Sequence, residues 1–249
     1  MVLDVPGLQQ RCFPFFGLLV GFLIVSVLHY AAVSQAEAAS TSLKVYVFQH
    51  DWCEVFHFGA VLAMCNRAGN SVPCEVIRDV KQLMPLRGST SGQGTTFGLP
   101  VVEFDGLRVS QSVAGTVLAG EALGYASGVK STAKAMQFML DFRDLIDNLH
   151  MNNAGYDGTL TFKSPPISLD QCIATGRFDQ FFRHFERSIA GPFFFPGDEP
   201  SYVDYYFESM LRWVGHRLAA QESARPWPGQ LLLNYSKVQG VLAALEDAS

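Results

Sequence analysis

Alternating apolar and polar positions predict the strands in the first half of the folded chain. Near position 45, Leu43, Val45 and Val47 alternate with Lys44 and Tyr46, which is the period of a half-buried strand. The Asp105-Gly106 pair between two such runs is typical of a tight hairpin turn. We predict strands at 42–48, 74–80, 99–104 and 107–109, and helices at 53–66 and 110–123. The order β-α-β followed by β-β-α predicts a mixed sheet covered by helices, as in a thioredoxin-like domain.

Helical spacing replaces strand alternation in the second half. Apolar side chains recur every three or four positions from Thr132 to His150, and a Gly/Asn/Pro-rich insertion follows at 151–166. Further helices are predicted at 169–174, 178–189, 202–218 and 235–246. The fold class is therefore α/β followed by all-α. We predict a thioredoxin-like domain at 42–126 and an all-helical domain at 127–249.

The first 41 residues have a different character. No charged residue occurs between Arg11 and Glu37, and the apolar part of this segment, at 13–33, is long enough for a helix that spans a bilayer. The small residues that follow also fit the cleavage region of a signal peptide. A signal peptide and an uncleaved membrane anchor both stay open, with a linker at 36–42. Either alternative predicts a membrane-associated protein or one of the secretory pathway.

Charge and cysteine content exclude several classes of function. The net charge is −5 and no basic run is present, so we expect no binding of nucleic acid, which needs a basic face. The five cysteines are too few and too scattered for a disulfide scaffold, and no cysteine has a histidine at zinc-ligand spacing. We therefore expect no metal site and at least one unpaired thiol.

Two stretches resemble the cytosolic glutathione transferases, and the likeness covers nearly all of Leu43–Glu246. The first runs from Leu99 to Ala114, with Leu-Pro-Val, a Glu, an Asp-Gly hairpin, and Gln-Ser before a small residue. The second runs from Phe194 to Tyr205, where Gly-Asp precedes Ser-x-x-Asp at a helix start. The resemblance, which is to the Tyr-type sigma and mu classes with the class left open, implies the glutathione-transferase fold, glutathione as co-substrate, a small hydrophobic electrophile as second substrate, and a homodimer.

The same resemblance suggests which residues bind glutathione. A cis bond at Leu99-Pro100 would turn the Leu99 backbone towards the peptide backbone of glutathione. Gln111 and Ser112 lie where a strand becomes a helix, and free N–H groups there favour the γ-glutamyl carboxylate. Lys81 matches the spacing of a lysine that holds the glycine carboxylate in some classes. Asp141 is a weaker candidate for contacting the γ-glutamyl amine of a neighbouring subunit. For Ser201-x-x-Asp204, in contrast, we predict a structural capping box.

Two residues compete as the group that acts on the thiol. Tyr46 precedes Glu54 by eight residues, the spacing of the catalytic tyrosine in Tyr-type relatives, and its hydroxyl would stabilise a thiolate. Cys53 opens the first predicted helix, where the helix terminus lowers a thiol pKa, and would run thiol-disulfide exchange. The chain also departs from the family pattern at Ile77, Gly98 and Thr116. The sequence therefore leaves three hypotheses: a glutathione transferase, a Cys53-dependent thiol reductase, and a non-catalytic, membrane-associated binding protein.

Overall fold

The computed structural model describes residues 42–49, 57–68, 72–86, 100–151, 174–220 and 232–247. Its strands are β1 (Leu43–Tyr46), β2 (Cys74–Ile77), β3 (Val101–Phe104) and β4 (Leu107–Ser110). Its α-helices are α1 (Gly59–Arg67), α2 (Val80–Leu83), α3 (Ser112–Ala122), α4 (Thr132–Met151), α5 (Arg177–Ser188), α6 (Tyr202–Ala220) and α7 (Ser236–Asp247), and a 3-10 turn at Met84–Leu86 follows α2. The predicted fold class, a mixed α/β half followed by helices, is confirmed.

The four strands form one mixed sheet in the order β2-β1-β3-β4. Strand β1 runs parallel to β2 and antiparallel to β3, and β3 and β4 form a hairpin. Asp105 and Gly106 connect that hairpin with φ angles of 48° and 72°. Both central residues of a type I′ turn have positive φ, so the Asp-Gly turn predicted from the sequence is confirmed.

Helices cover the sheet on both faces. Leu43, Val45 and Val102 belong to the main core together with side chains of α1, α3 and the later helices. On the opposite face Tyr46, Ile77 and Val101 pack against Leu83 of α2. Strand alternation produces this division, since neighbouring side chains point to opposite faces.

Helix α6 is the central helix of the second half, and it packs against α1, α3, α4 and α7. Its start is fixed by Asp204, which is fully buried. One carboxylate oxygen accepts hydrogen bonds from the Ser201 N–H (2.8 Å) and hydroxyl (2.7 Å), and the other accepts from the Phe194 N–H (2.8 Å). The predicted capping box is confirmed, and it also ties the preceding 194–200 segment to the helix.

Element boundaries differ from prediction where local hydrogen bonds compete with periodicity. Strand β2 ends at Ile77, because Asp79 accepts a hydrogen bond from the Lys81 N–H (3.0 Å) and starts α2. Helix α3 begins at Ser112 and not at 110, since Ser110 is still paired with Val101 in the sheet. The predicted insertion at 151–166 and helix at 169–174 fall largely outside the described residues. The residues from Ser42 onward form one compact unit, and its division near 127 stays a prediction.

A disulfide that the sequence analysis missed joins Cys65 near the end of α1 to Cys74 at the start of β2. The two Cα atoms are 5.8 Å apart, within the range that a disulfide spans. It closes a short loop between two consecutive elements. The five cysteines therefore include one structural pair, although they do not form a scaffold.

The prediction of a membrane-associated or secretory protein is corrected. Among the helices that the structure describes, none has the length and apolar character needed to cross a membrane. The segment at 13–33, on which the prediction rested, lies outside the described residues.

Candidate functional site

The junction between β4 and α3 has the most unusual backbone among the described residues of the predicted site. Gln111 adopts φ 80° and ψ 136°, and it is one of two non-glycine residues with positive φ in the described ranges, the other being Asp105 in the hairpin turn. Such a conformation costs about 1–3 kcal/mol and persists only where the surroundings enforce it. Gln111 is exposed, and its side chain makes no capping hydrogen bond to α3. The first N–H groups of α3 are therefore not capped by this side chain.

Pro100 lies beside this junction. Val101 is paired with Ser110, so Pro100 and Gln111 are the next residues along the two chains. Pro100 is buried. The structure thus brings together two of the residues predicted to bind glutathione, at one end of the sheet. Leu99 lies outside the described residues.

Ser112 faces the protein interior. It is 4% exposed, and its Oγ lies 3.1 Å from the hydroxyl oxygen of Tyr206 in α6. The Ser112 hydroxyl therefore links α3 to the helical half. The N-terminal end of α3 lies at the same position, and the dipole of a helix favours an anion at that end.

Tyr46 lies under α2 and is 8% exposed. Its hydroxyl donates a hydrogen bond to Oε2 of Glu103, at 3.4 Å. Tyr46 is paired with Val101, and Glu103 lies two residues farther along β3, so the hydroxyl is directed away from Pro100. Burial raises the pKa of Tyr46, the Glu103 carboxylate raises it further, and Arg108 lowers it.

Glu103 belongs to a row of charges that crosses the whole sheet. Glu75 of β2 is paired with Lys44 of β1, Lys44 with Glu103 of β3, and Glu103 with Arg108 of β4. Their signs alternate from strand to strand, which stabilises cross-strand neighbours. Arg108 Nε donates to Glu103 Oε2 at 2.7 Å, and Nη2 donates to the same oxygen. The Tyr46 hydroxyl is therefore a third donor to one carboxylate oxygen.

The remaining candidates lie on other elements or outside the described residues. Lys81 is exposed near the start of α2, over the face that holds Tyr46. Asp141 of α4 lies 2.9 Å from Nε2 of His184 of α5, and both line an open cleft of about 250 Å³. Cys53 and Glu54 lie outside the described residues. Within the described ranges, no group of three or more potential metal ligands lies close together.

The residues that sequence analysis missed differ in how visible they are in the sequence. A two-residue turn at Asp105-Gly106 pairs the residues that flank it, so Glu103 opposite Arg108 follows from counting outwards. Nothing local marks Tyr206 as the partner of Ser112, because that contact joins residues 94 positions apart. The aromatic residues Phe138 and Phe142 are buried in the core against Phe194.

Comparison with known proteins identifies the fold. Neither protein-family models nor curated proteins give a match. Solved structures do. Prostaglandin synthase D of Nilaparvata lugens is 18% identical over 83% of this chain and 92% of its own, with a TM-score of 0.53. A Nu-class glutathione S-transferase of Haemonchus contortus is 19% identical over 83% and 92%, with a TM-score of 0.54. A glutathione S-transferase of the hookworm Necator americanus, described as monomeric, is 15% identical over 83% and 95%, with a TM-score of 0.53. The chain resembles the glutathione transferases and has their fold.

Proposed function

We propose that this chain, with its glutathione-transferase fold, binds glutathione at the β4–α3 junction and transfers the glutathione thiolate to a small hydrophobic electrophile. The observation that carries the proposal is the strained backbone of Gln111 at φ 80°, next to Pro100 and directly before α3. A non-glycine residue keeps such a conformation only where the fold enforces it, and such residues cluster at ligand sites.

The γ-glutamyl carboxylate is the part of glutathione that suits this junction. The first N–H groups of α3 provide donors and the positive end of the helix dipole. The exposed Gln111 amide supplies a further donor within reach of the same end. Pro100, and Leu99 before it, would flank the cysteinyl portion. Lys81 and Asp141 remain proposed contacts for the glycine carboxylate and for a neighbouring subunit's ligand.

Activation of the thiol is the second part of the proposal, and Tyr46 is its first candidate. A phenol stabilises a thiolate by donating its hydrogen bond to it. In the structure that proton is donated to Glu103, which favours a second candidate function, a binder of glutathione that does not turn over. The Cys53 reductase stays the third hypothesis, tested through Cys53→Ser.

Calorimetric titration of the full chain with glutathione tests the binding site. Gln111→Gly keeps the positive φ without strain but removes the amide, and we expect it to weaken glutathione binding. Glu75→Gln, on an edge strand away from the junction, is the matched control and should leave affinity unchanged. A chain that takes up no glutathione at all would refute both enzyme hypotheses.

Turnover is tested separately with an aryl halide electrophile. If Tyr46 activates the thiol, Tyr46→Phe lowers the rate of conjugation at neutral pH and leaves glutathione affinity intact. Loss confined to Cys53→Ser, together with disulfide reductase activity, would favour the reductase hypothesis. Binding without conjugation in the wild type would establish the non-catalytic candidate.

A second copy of this chain is the proposed macromolecular partner. Met136 and Leu140 lie one turn apart on α4 and are 39% and 48% exposed, so they offer an apolar contact surface. Sedimentation of the wild type and of the Leu140→Glu variant tests this. A wild type that sediments as a monomer at all concentrations would refute the homodimer.

A further inference from the structure

We propose that Glu103 holds the Tyr46 hydroxyl away from the glutathione site and that Arg108, as a competing donor to Glu103, loosens this hold, so that the two residues together control when Tyr46 is free to act on a thiol. The consequence for the thiol rests on the function proposed above. The coupling among the side chains of Tyr46, Glu103 and Arg108 does not rest on that function, because it is a property of the protein without ligand.

The geometry places all three side chains on one face of the sheet. Glu103 lies directly opposite Arg108 across the hairpin and opposite Lys44 on β1. Tyr46 is two residues beyond Lys44, on the same face. Its hydroxyl reaches back diagonally to Glu103 Oε2 at 3.4 Å, longer than the roughly 2.5–3.0 Å of most O–H···O bonds, so the hydrogen bond is a weak one. The Tyr46 hydroxyl therefore points away from Pro100 and from the β4–α3 junction.

The phenol has one proton to donate, so the two possible acceptors exclude each other. While the hydroxyl donates to the Glu103 carboxylate, it has no proton with which to stabilise a thiolate. For Tyr46 to act, the hydroxyl must leave Glu103. Arg108 controls how easily it leaves, since two guanidinium nitrogens compete for the same carboxylate oxygen and weaken its hold on the phenol.

The charges that surround Tyr46 oppose each other. Burial raises the pKa of Tyr46, Glu103 adds to the rise, Arg108 lowers it, and Glu75 on β2 raises it slightly. Helix α2 packs on Tyr46 through Leu83, and Asp79, which caps the helix, and Lys81 within it are exposed. Among the described residues of this face, Lys44 is a further charge, on the same strand as Tyr46.

The coupling predicts opposite signs for two substitutions in one ion pair. Glu103→Gln removes the negative charge while keeping the shape and an amide that can still contact the phenol, so the pKa of Tyr46 falls. Arg108→Gln leaves the Glu103 carboxylate without its counter-ion, so the pKa of Tyr46 rises. General disruption of the sheet would instead expose Tyr46 in both variants and lower its pKa in both.

Ultraviolet titration of tyrosinate measures this without glutathione. The Tyr46 signal is the difference between each protein and the same protein carrying Tyr46→Phe. Glu75→Gln, the same chemical change on the same face without a hydrogen bond to Tyr46, is the matched control and should shift the pKa less than Glu103→Gln does. Arg108→Lys should return the pKa part of the way to the wild-type value. Far-ultraviolet circular dichroism confirms that each variant is folded.

Equal or same-sign shifts in Glu103→Gln and Arg108→Gln would overturn the proposal, as would an unchanged pKa in Glu103→Gln. Because Arg108 is exposed, its variants should fold, and they measure the effect on the pKa of Tyr46 even if Glu103→Gln does not fold. With glutathione bound, we further expect the pH profile of conjugation to lie at lower pH in Glu103→Gln than in the wild type. In Arg108→Gln it should lie at higher pH than in the wild type. A protein that fails to bind glutathione would defeat the proposed function and leave the titration result standing, so the two failures are distinguishable.

Discussion

Substitution of Gly120 by Ala tests how α3, the helix that begins at the candidate site, is held against the second half of the protein. A Cβ at position 120 would lie 2.4 Å from the Cβ of Tyr202 and 2.5–2.6 Å from two of its ring atoms. Tyr202 is fully buried and is the first residue of α6. Its backbone N–H donates to the Tyr125 carbonyl at 2.8 Å, so the ring cannot retreat without moving the helix start.

The net effect combines two opposing contributions. Alanine is favoured over glycine inside a helix by about 1 kcal/mol. Overpacking of a rigid core costs about 1–3 kcal/mol, and here the overlap involves a Cβ near the backbone and not the end of a flexible chain, so the upper end of the range applies. The difference is a loss of about 2 kcal/mol in the free energy of unfolding.

Gly240→Ala is the matched control. Gly240 lies in α7 on the exposed surface, and a Cβ there would meet no atom within 4 Å. The same substitution should therefore stabilise the protein by about 0.5–1 kcal/mol. Urea denaturation of both variants, with an unchanged m-value, measures the two effects. If Gly120→Ala were as stable as Gly240→Ala, the close approach of α3 and α6 at Tyr202 would be refuted, and so would the loss of stability that we derive from it.

The remaining predictions concern the helix cap at Asp204, the loss of stability at alkaline pH and the disulfide. Asp204→Ala removes a carboxylate that accepts three buried hydrogen bonds, so we expect a loss of at least about 2 kcal/mol in urea denaturation; a loss below half of that would contradict the cap's importance. The pKa of Tyr235 is raised to about 12 by burial and by its hydrogen bond to Asp179, so the folded state retains a proton that the unfolded state loses from about pH 10. The free energy of unfolding should therefore fall between pH 10 and 12 by about 1.4 kcal/mol per pH unit because of this group. The Tyr235→Phe variant should show a shallower fall. An equally steep fall in the variant would exclude Tyr235 as its source. Reduction of the Cys65–Cys74 bond, which joins residues nine positions apart, should lower the free energy of unfolding by about 2.5–3 kcal/mol. Alkylation of the unreduced, denatured chain should label at most three of its five cysteines. Labelling of all five would show that the bond is absent.

Local patterns predicted well what local interactions determine. The Asp105-Gly106 turn and the Ser201-to-Asp204 cap each involve residues within a few positions of each other, and both are present in the structure. Strand alternation likewise predicted which residues of β1 face the main core. Such features depend on backbone conformation and nearest neighbours, and the sequence carries that information directly.

The direction of individual side chains depended on tertiary packing. Ser112 was predicted to help bind the γ-glutamyl carboxylate at the start of α3. Its hydroxyl lies 3.1 Å from the Tyr206 hydroxyl, a contact that arises because the fold of the other half determines which side of α3 meets α6. Cys65 and Cys74 are brought together by the fold of the chain between the end of α1 and the start of β2. Periodicity does not indicate either contact, since both require knowledge of which elements are neighbours.

The division of the sheet's two faces has a consequence for how binding and activation relate. Helix α3 packs on the face that carries Val102, where a Cβ at position 115 would lie 2.9 Å from Val102 Cγ2, and it is linked to α6 through Ser112 and Gly120. Tyr46 and the charge pair that holds it lie on the opposite face, under α2. Changes to the α3–α6 contact should therefore alter glutathione affinity with little effect on the pKa of Tyr46, and changes to Glu103 or Arg108 should do the reverse. Because the two groups of side chains belong to separate clusters on opposite faces of the sheet, their effects in a double variant such as Gly120→Ala with Glu103→Gln should add. A coupling free energy above about 0.5 kcal/mol would show that the sheet transmits strain between its faces.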